Sequence, residues 1–93
     1  MIVARIAIVL RLASAASLKD KRSVVKSLRE RLRQRFNVAV AEVGAHDDWR
    51  RAELGLALVA ADGVQLDREI DRITHFLDDD VRFEMIEREV ERY

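Results

Sequence analysis

Ninety-three residues without a cysteine set a single domain spanning 1–93, whose fold must rest on packing because no disulfide or thiolate metal site is available. Basic and acidic side chains balance at seventeen each, yet residues 1–61 carry twelve basic against six acidic and residues 62–93 five against eleven. The composition excludes a disordered chain, and the apolar runs, such as Ile6 to Leu10 and Leu56 to Ala61, are far short of a membrane span. With no basic start, long apolar segment or cleavage site at the amino terminus, the expectation is a cytoplasmic protein with no membrane contact.

Residues 2–12 alternate: Ile2, Ala4, Ile6, Ile8, Leu10 and Leu12 share one face, while Val3, Arg5, Ala7, Val9 and Arg11 share the other. Period two over this length predicts a strand with its even face buried and its odd face open to water or a partner. Ala13–Ser17 reads as a loop of small residues. Ser17 is then a helix N-cap, with Asp20 three residues on to complement the free amides. At 100° per residue, Leu18, Val25, Leu28, Leu32 and Phe36 form an apolar stripe, and Asn37 is positioned to end the helix.

Val38–Val43 and Leu54–Ala61 read as two further strands, joined by the polar connection Gly44–Arg51. Asp62 and Gln65 predict the cap of a second helix with Leu66, Ile70, Ile73 and Leu77 on one stripe. That helix should stop at or before Asp78-Asp79-Asp80, whose charges oppose its dipole. Val81–Glu91 predicts a last strand. The order is βαββαβ, an α+β ferredoxin-like sandwich: a four-stranded antiparallel sheet with two helices on one face and the first and third strands central.

Candidate chemistry is thin. Neither histidine, His46 or His75, has a serine near it in sequence, and three glycines cannot build a phosphate cradle or a dinucleotide fingerprint. An acylphosphatase-like activity would want an arginine in the loop after the first strand, and Ala13–Ser17 holds none. His46, Asp47 and Asp48 offer metal-ligating atoms side by side, but adjacent side chains rarely converge on one ion, so the stretch reads as a solvated turn. The expectation is a protein that is not an enzyme, with no cofactor, no metal and no small-molecule substrate.

The strongest functional signal is charge. From Lys19 to Arg35 eight basic residues face two acidic ones, and Arg22, Lys26, Arg29 and Arg33 form a stripe beside the apolar one. Only Glu30 offers a counter-charge within the helix, so a row of mutually repelling cations is left that could follow a phosphate backbone or simply be solvated. Lys19, Lys21, Arg22, Lys26, Arg29, Arg33, Arg50 and Arg51 are the candidate RNA- or anion-binding residues. Lys21 lies inside the apolar stripe, and three readings stand: a cation for a partner's anion, a snorkelling stem, or an internal pair with a carboxylate such as Glu42. Trp49, the only tryptophan, lies beside Arg50 and Arg51. It could stack on a base, fold back over the sheet edge, or fill a dimer contact. The first and third strands carry no aromatic residue, which argues against single-strand readout on the sheet.

At Ser17-Leu-Lys-Asp-Lys-Arg22, the run Phe36–Val43 and the loop holding Asp47 and Trp49, the chain resembles the bacterial YlxP-like family, catalogued as a domain of unknown function. The resemblance covers essentially the whole length and implies a ferredoxin-like fold and a cytoplasmic protein. Genes of that family often adjoin those for translation initiation factor two and ribosome-binding factor A, which points by association to RNA or the ribosome; the family brings no catalytic residues to carry over. Two partner classes are therefore expected: structured RNA or the ribosome at the basic helix, or a protein-interaction module. The second would be a homodimer through the open sheet face or an edge strand, with the helix meeting an acidic protein.

Overall fold

In the computed structural model, which describes residues 1–93, the chain runs β1 (Ile2–Leu12), α1 (Leu18–Arg35), β2 (Val38–Gly44), β3 (Arg51–Ala60), α2 (Gly63–Asp78) and β4 (Phe83–Arg92). All pairings are antiparallel and the strand order is β2-β3-β1-β4, so β1 and β3 are central and both helices cover one face. This is the ferredoxin-like α+β plan that the alternation and chain order lead to. No helix is long and apolar enough to cross a membrane.

The core follows from the two periodicities. Ala4, Ile6, Ile8, Leu10 and Leu12 of β1 are buried beside Ala52, Leu54, Leu56, Leu58 and Ala60 of β3. Onto them α1 places Val25, Leu28 and Leu32, and α2 places Leu66, Ile70, Ile73 and Leu77. Each of these fully buried leucines removes enough apolar surface from water to contribute about 1.5–3 kcal/mol, which is how a chain without covalent cross-links holds together.

Both helices open with reciprocal caps. Ser17 Oγ accepts from the Asp20 amide at 3.1 Å while the Asp20 carboxylate accepts from the Ala16 amide at 3.1 Å. Asp62 accepts from the Gln65 amide at 2.9 Å while Gln65 Oε1 accepts from the Ala61 amide at 3.0 Å. Each pair satisfies one donor that the first turn of the helix leaves free and the amide of the residue before the cap.

Several boundaries differ from the pattern in the sequence, each for a physical reason. Helix α1 is closed by Phe36, in extended conformation at φ −130° and ψ 151°, rather than by Asn37. The Phe36 ring is buried and meets Phe76 of α2 edge-on at 5.7 Å, which pulls the chain straight into β2. Strand β3 begins at Arg51 rather than Leu54 because β1 is long enough to pair with it there, Arg11 opposite Arg51. Strand β4 begins at Phe83 because Arg82 is bonded back to Asp80, leaving Val81 exposed in the turn. A bulge leaves Ile86 unpaired opposite the Val9–Leu10 step, so Arg88, Val90 and Arg92 continue the helix-facing side of β4 while Glu87, Glu89 and Glu91 face outward.

Candidate nucleic-acid interface

Helix α1 has three distinct sides. The core stripe is buried. On one flank Ser27 accepts from Arg82 at 3.2 Å, Arg31 pairs with Asp80 at 3.5 Å, and the guanidinium groups of Arg31 and Arg35 lie 5.0 and 5.1 Å from the centroid of Phe76. That flank therefore faces α2 and the turn after it, and its cations are spent on internal contacts. At 100° per residue, Arg22, Lys26, Arg29 and Arg33 fall on the opposite flank.

None of these four, nor Lys19, has a carboxylate within 4.0 Å, whereas eight of the chain's seventeen lysines and arginines do. Glu30, the counter-charge expected within the helix, pairs with no cation. The Nε of Arg29 is buried without a hydrogen-bond partner. The row spans about 16 Å along the helix, with like charges close enough to repel one another.

The excess acids sit elsewhere. On the open face of the sheet β4 displays Glu84, Glu87, Glu89 and Glu91; Arg5 meets Glu91 at 3.2 Å and Arg11 meets Glu84, so the arginines of β1 are answered by β4. On the helix side Arg92 pairs with Asp67 of α2 at 2.6 Å. The outward positions of β2 and β3 are largely small and apolar, including Ala39, Ala41, Gly55, Ala57 and Val59. The carboxylates of the last third thus lie on α2, on β4 and in the turn between them, and none pairs with the cationic flank.

Lys21 does not belong to that flank. It is 1% exposed, donates to the carbonyl of Ala45, and places its ammonium 3.1 Å from Glu42 Oε2, which takes the charge interaction without an aligned hydrogen bond. Its place in the apolar stripe puts it under the helix, and the internal pair with Glu42 removes it from any external anion. Arg51 is also corrected in place: it lies in β3, 3.9 Å from Glu53, rather than in the loop.

The remaining connection, Ala45–Arg50, is tied down at several points. Besides the Lys21 contact, the Asp48 amide donates to Ala45 O at 3.1 Å, the Arg50 amide donates to the Asp48 carboxylate at 2.9 Å, and His46 Nε2 lies 3.3 Å from Glu42 O. Ala45 has φ 54°, in the left-handed region, which costs a non-glycine residue about 1 kcal/mol. Trp49 is half-buried, with the Arg50 guanidinium 4.7 Å from its ring centroid. It is absent from the apolar cluster and from the side chains packed against it, so it takes no part in the core. His46, Asp47 and Asp48 belong to no group of three or more side chains arranged to hold a metal ion.

One cluster was not foreseen. Asp80 accepts from Arg82 at 2.6 and 2.9 Å and pairs with Arg31, knotting the end of α2 to α1; its signal was the arginine two residues after the acidic run. The hydrogen bonds from Arg82 hold the Asp80 carboxyl below its ordinary 3.8 against the opposing effect of burial. A carboxyl whose pKa is lower in the folded state stabilises the fold above its unfolded value and loses that contribution as pH falls through the folded value. Asp80→Asn should therefore melt at a lower temperature than wild type at neutral pH, with the gap closing in thermal melts taken at progressively lower pH below 3.8.

Comparison with known proteins gives two findings. A family model described as "Protein of unknown function (DUF503)" matches residues 3–90. The chain is also similar to "Uncharacterized protein YlxP" of Bacillus subtilis (strain 168), 40% identical over 78 residues that cover 84% of this chain and 82% of that protein.

Proposed function

The chain belongs to the family described as protein of unknown function DUF503, and from that premise we propose that it is a non-enzymatic accessory domain that binds structured RNA, free or in the ribosome, through phosphate contacts from α1. The observation that carries this reading is the flank Arg22, Lys26, Arg29 and Arg33: four neighbouring cations, none with a carboxylate within 4.0 Å, in a chain with as many acids as bases. Leaving like charges side by side costs stability, and a polyanion offsets that cost. Lys19 lies at the start of the same helix, and Arg50 lies in the loop that Lys21 fastens to that helix. Its chemistry is charge placement: the two histidines stand apart, and the loop after β1 lacks the arginine that a phosphate-cleaving site would use.

Affinity capture from cell lysate with the purified chain, with and without nuclease, tests the reading. It predicts that RNA is recovered in low salt and that anything retained with it is released by nuclease. Recovery of an acidic protein alone, unaffected by nuclease, would contradict it and assign the helix to a protein partner.

A further inference from the structure

The chain's single tryptophan lies in a loop, apart from the packed interior. Trp49 lies outside the apolar core and is half-buried, and its loop is braced by Lys21, Asp48 and Glu42 and held through a left-handed alanine. Bracing of this kind costs conformational strain at Ala45 and buries a lysine, and it fixes the backbone of the loop that carries the ring. The same lysine belongs to the second turn of α1, so the loop is fastened to the helix one residue before Arg22, where the cationic row begins.

We infer that Trp49 is a stacking platform for an unpaired nucleobase whose phosphates run on along Arg22, Lys26, Arg29 and Arg33. The inference rests on the RNA reading and narrows it to RNA with at least one unstacked base, as opposed to a continuous duplex. An indole presents a π-face to any base, and base–aromatic stacking tolerates sequence. Arg50 lies over one face of the ring, 4.7 Å from its centroid, so a base would stack on the other face with the cation backing the indole. The loop forms a shallow cavity of about 620 Å³ lined by Ala45, His46, Asp47, Asp48, Trp49 and Arg50. Its two carboxylates disfavour a phosphate inside it, while a base edge brings amino donors that a carboxylate accepts. The division of labour is therefore base in the loop and backbone on the helix.

Because Trp49 is the only tryptophan, intrinsic tryptophan fluorescence reports this residue alone. Single-stranded oligoadenylate should quench it, whereas inorganic polyphosphate and an RNA duplex should bind without quenching. Trp49→Ala should weaken oligoadenylate binding by about 5- to 150-fold and leave polyphosphate binding unchanged, while Trp49→Phe should keep most of the affinity for oligoadenylate. Equal responses to oligoadenylate and polyphosphate, with Trp49→Ala affecting neither, would overturn the inference and leave the phosphate reading standing. Failure of the wild type to bind either polyanion would overturn both.

Discussion

Glu42→Ala is expected to lower the unfolding free energy by about 3 kcal/mol, measured by urea denaturation at neutral pH. Lys21 is almost fully buried, and its ammonium has two partners, Glu42 and the carbonyl of Ala45. Removing the carboxylate leaves a buried charge answered only by one carbonyl dipole. Breaking such a pair from one side typically costs about 3–5 kcal/mol. Glu42 keeps 19% exposure, so water can partly replace it and the lower end applies. The paired replacement Lys21→Met with Glu42→Leu removes both charges and should recover most of the loss, since apolar groups of similar volume are often neutral at such sites. Glu42→Ala with unchanged stability would show that the lysine reaches solvent and that the pair does not brace the loop.

The second large effect concerns binding. Arg22→Glu, Lys26→Glu and Arg33→Glu, introduced together, should weaken RNA binding at low salt by roughly 100-fold, taking each screened contact as worth about 1 kcal/mol. All three side chains are exposed and unpaired, so the fold should persist, as circular dichroism would verify. The same exchange at Arg5, Arg11 and Arg92 removes cations already answered by carboxylates and should change RNA affinity far less. Equal losses from the two triple variants would mean that net charge, and not the placement of the row, governs binding.

The architecture was legible because each element carries one dominant pattern. In β1 strict alternation from Ile2 to Leu12 leaves no other reading, and Ser17 with Asp20 and Asp62 with Gln65 announce the two helix starts. The cationic row was legible for a similar reason: helical spacing alone puts Arg22, Lys26, Arg29 and Arg33 on one flank. What the sequence could not supply were partners across the fold. The angle of Lys21 says that it points beneath the helix, but Glu42 reaches it from β2, twenty-one residues on, through packing that no periodicity encodes. The Asp80–Arg82–Arg31 knot likewise depends on α1 and α2 lying side by side. Trp49 was ambiguous because its loop is shaped by the φ of Ala45 and by a lysine on another element. The side on which the end of β4 presents its charges was hidden too, since it is set by the bulge at Ile86.

The account stands on an unanswered row of cations recognising phosphate, and the salt dependence of RNA binding tests that most directly. With four phosphates neutralised by α1, the slope of log K against log salt should be about −3 for single-stranded RNA, a loss of about 50-fold between 50 and 200 mM. The Arg22, Lys26 and Arg33 reversal should flatten that slope toward zero. No measurable association at 50 mM salt, or a wild-type slope that the reversal leaves intact, would contradict the account.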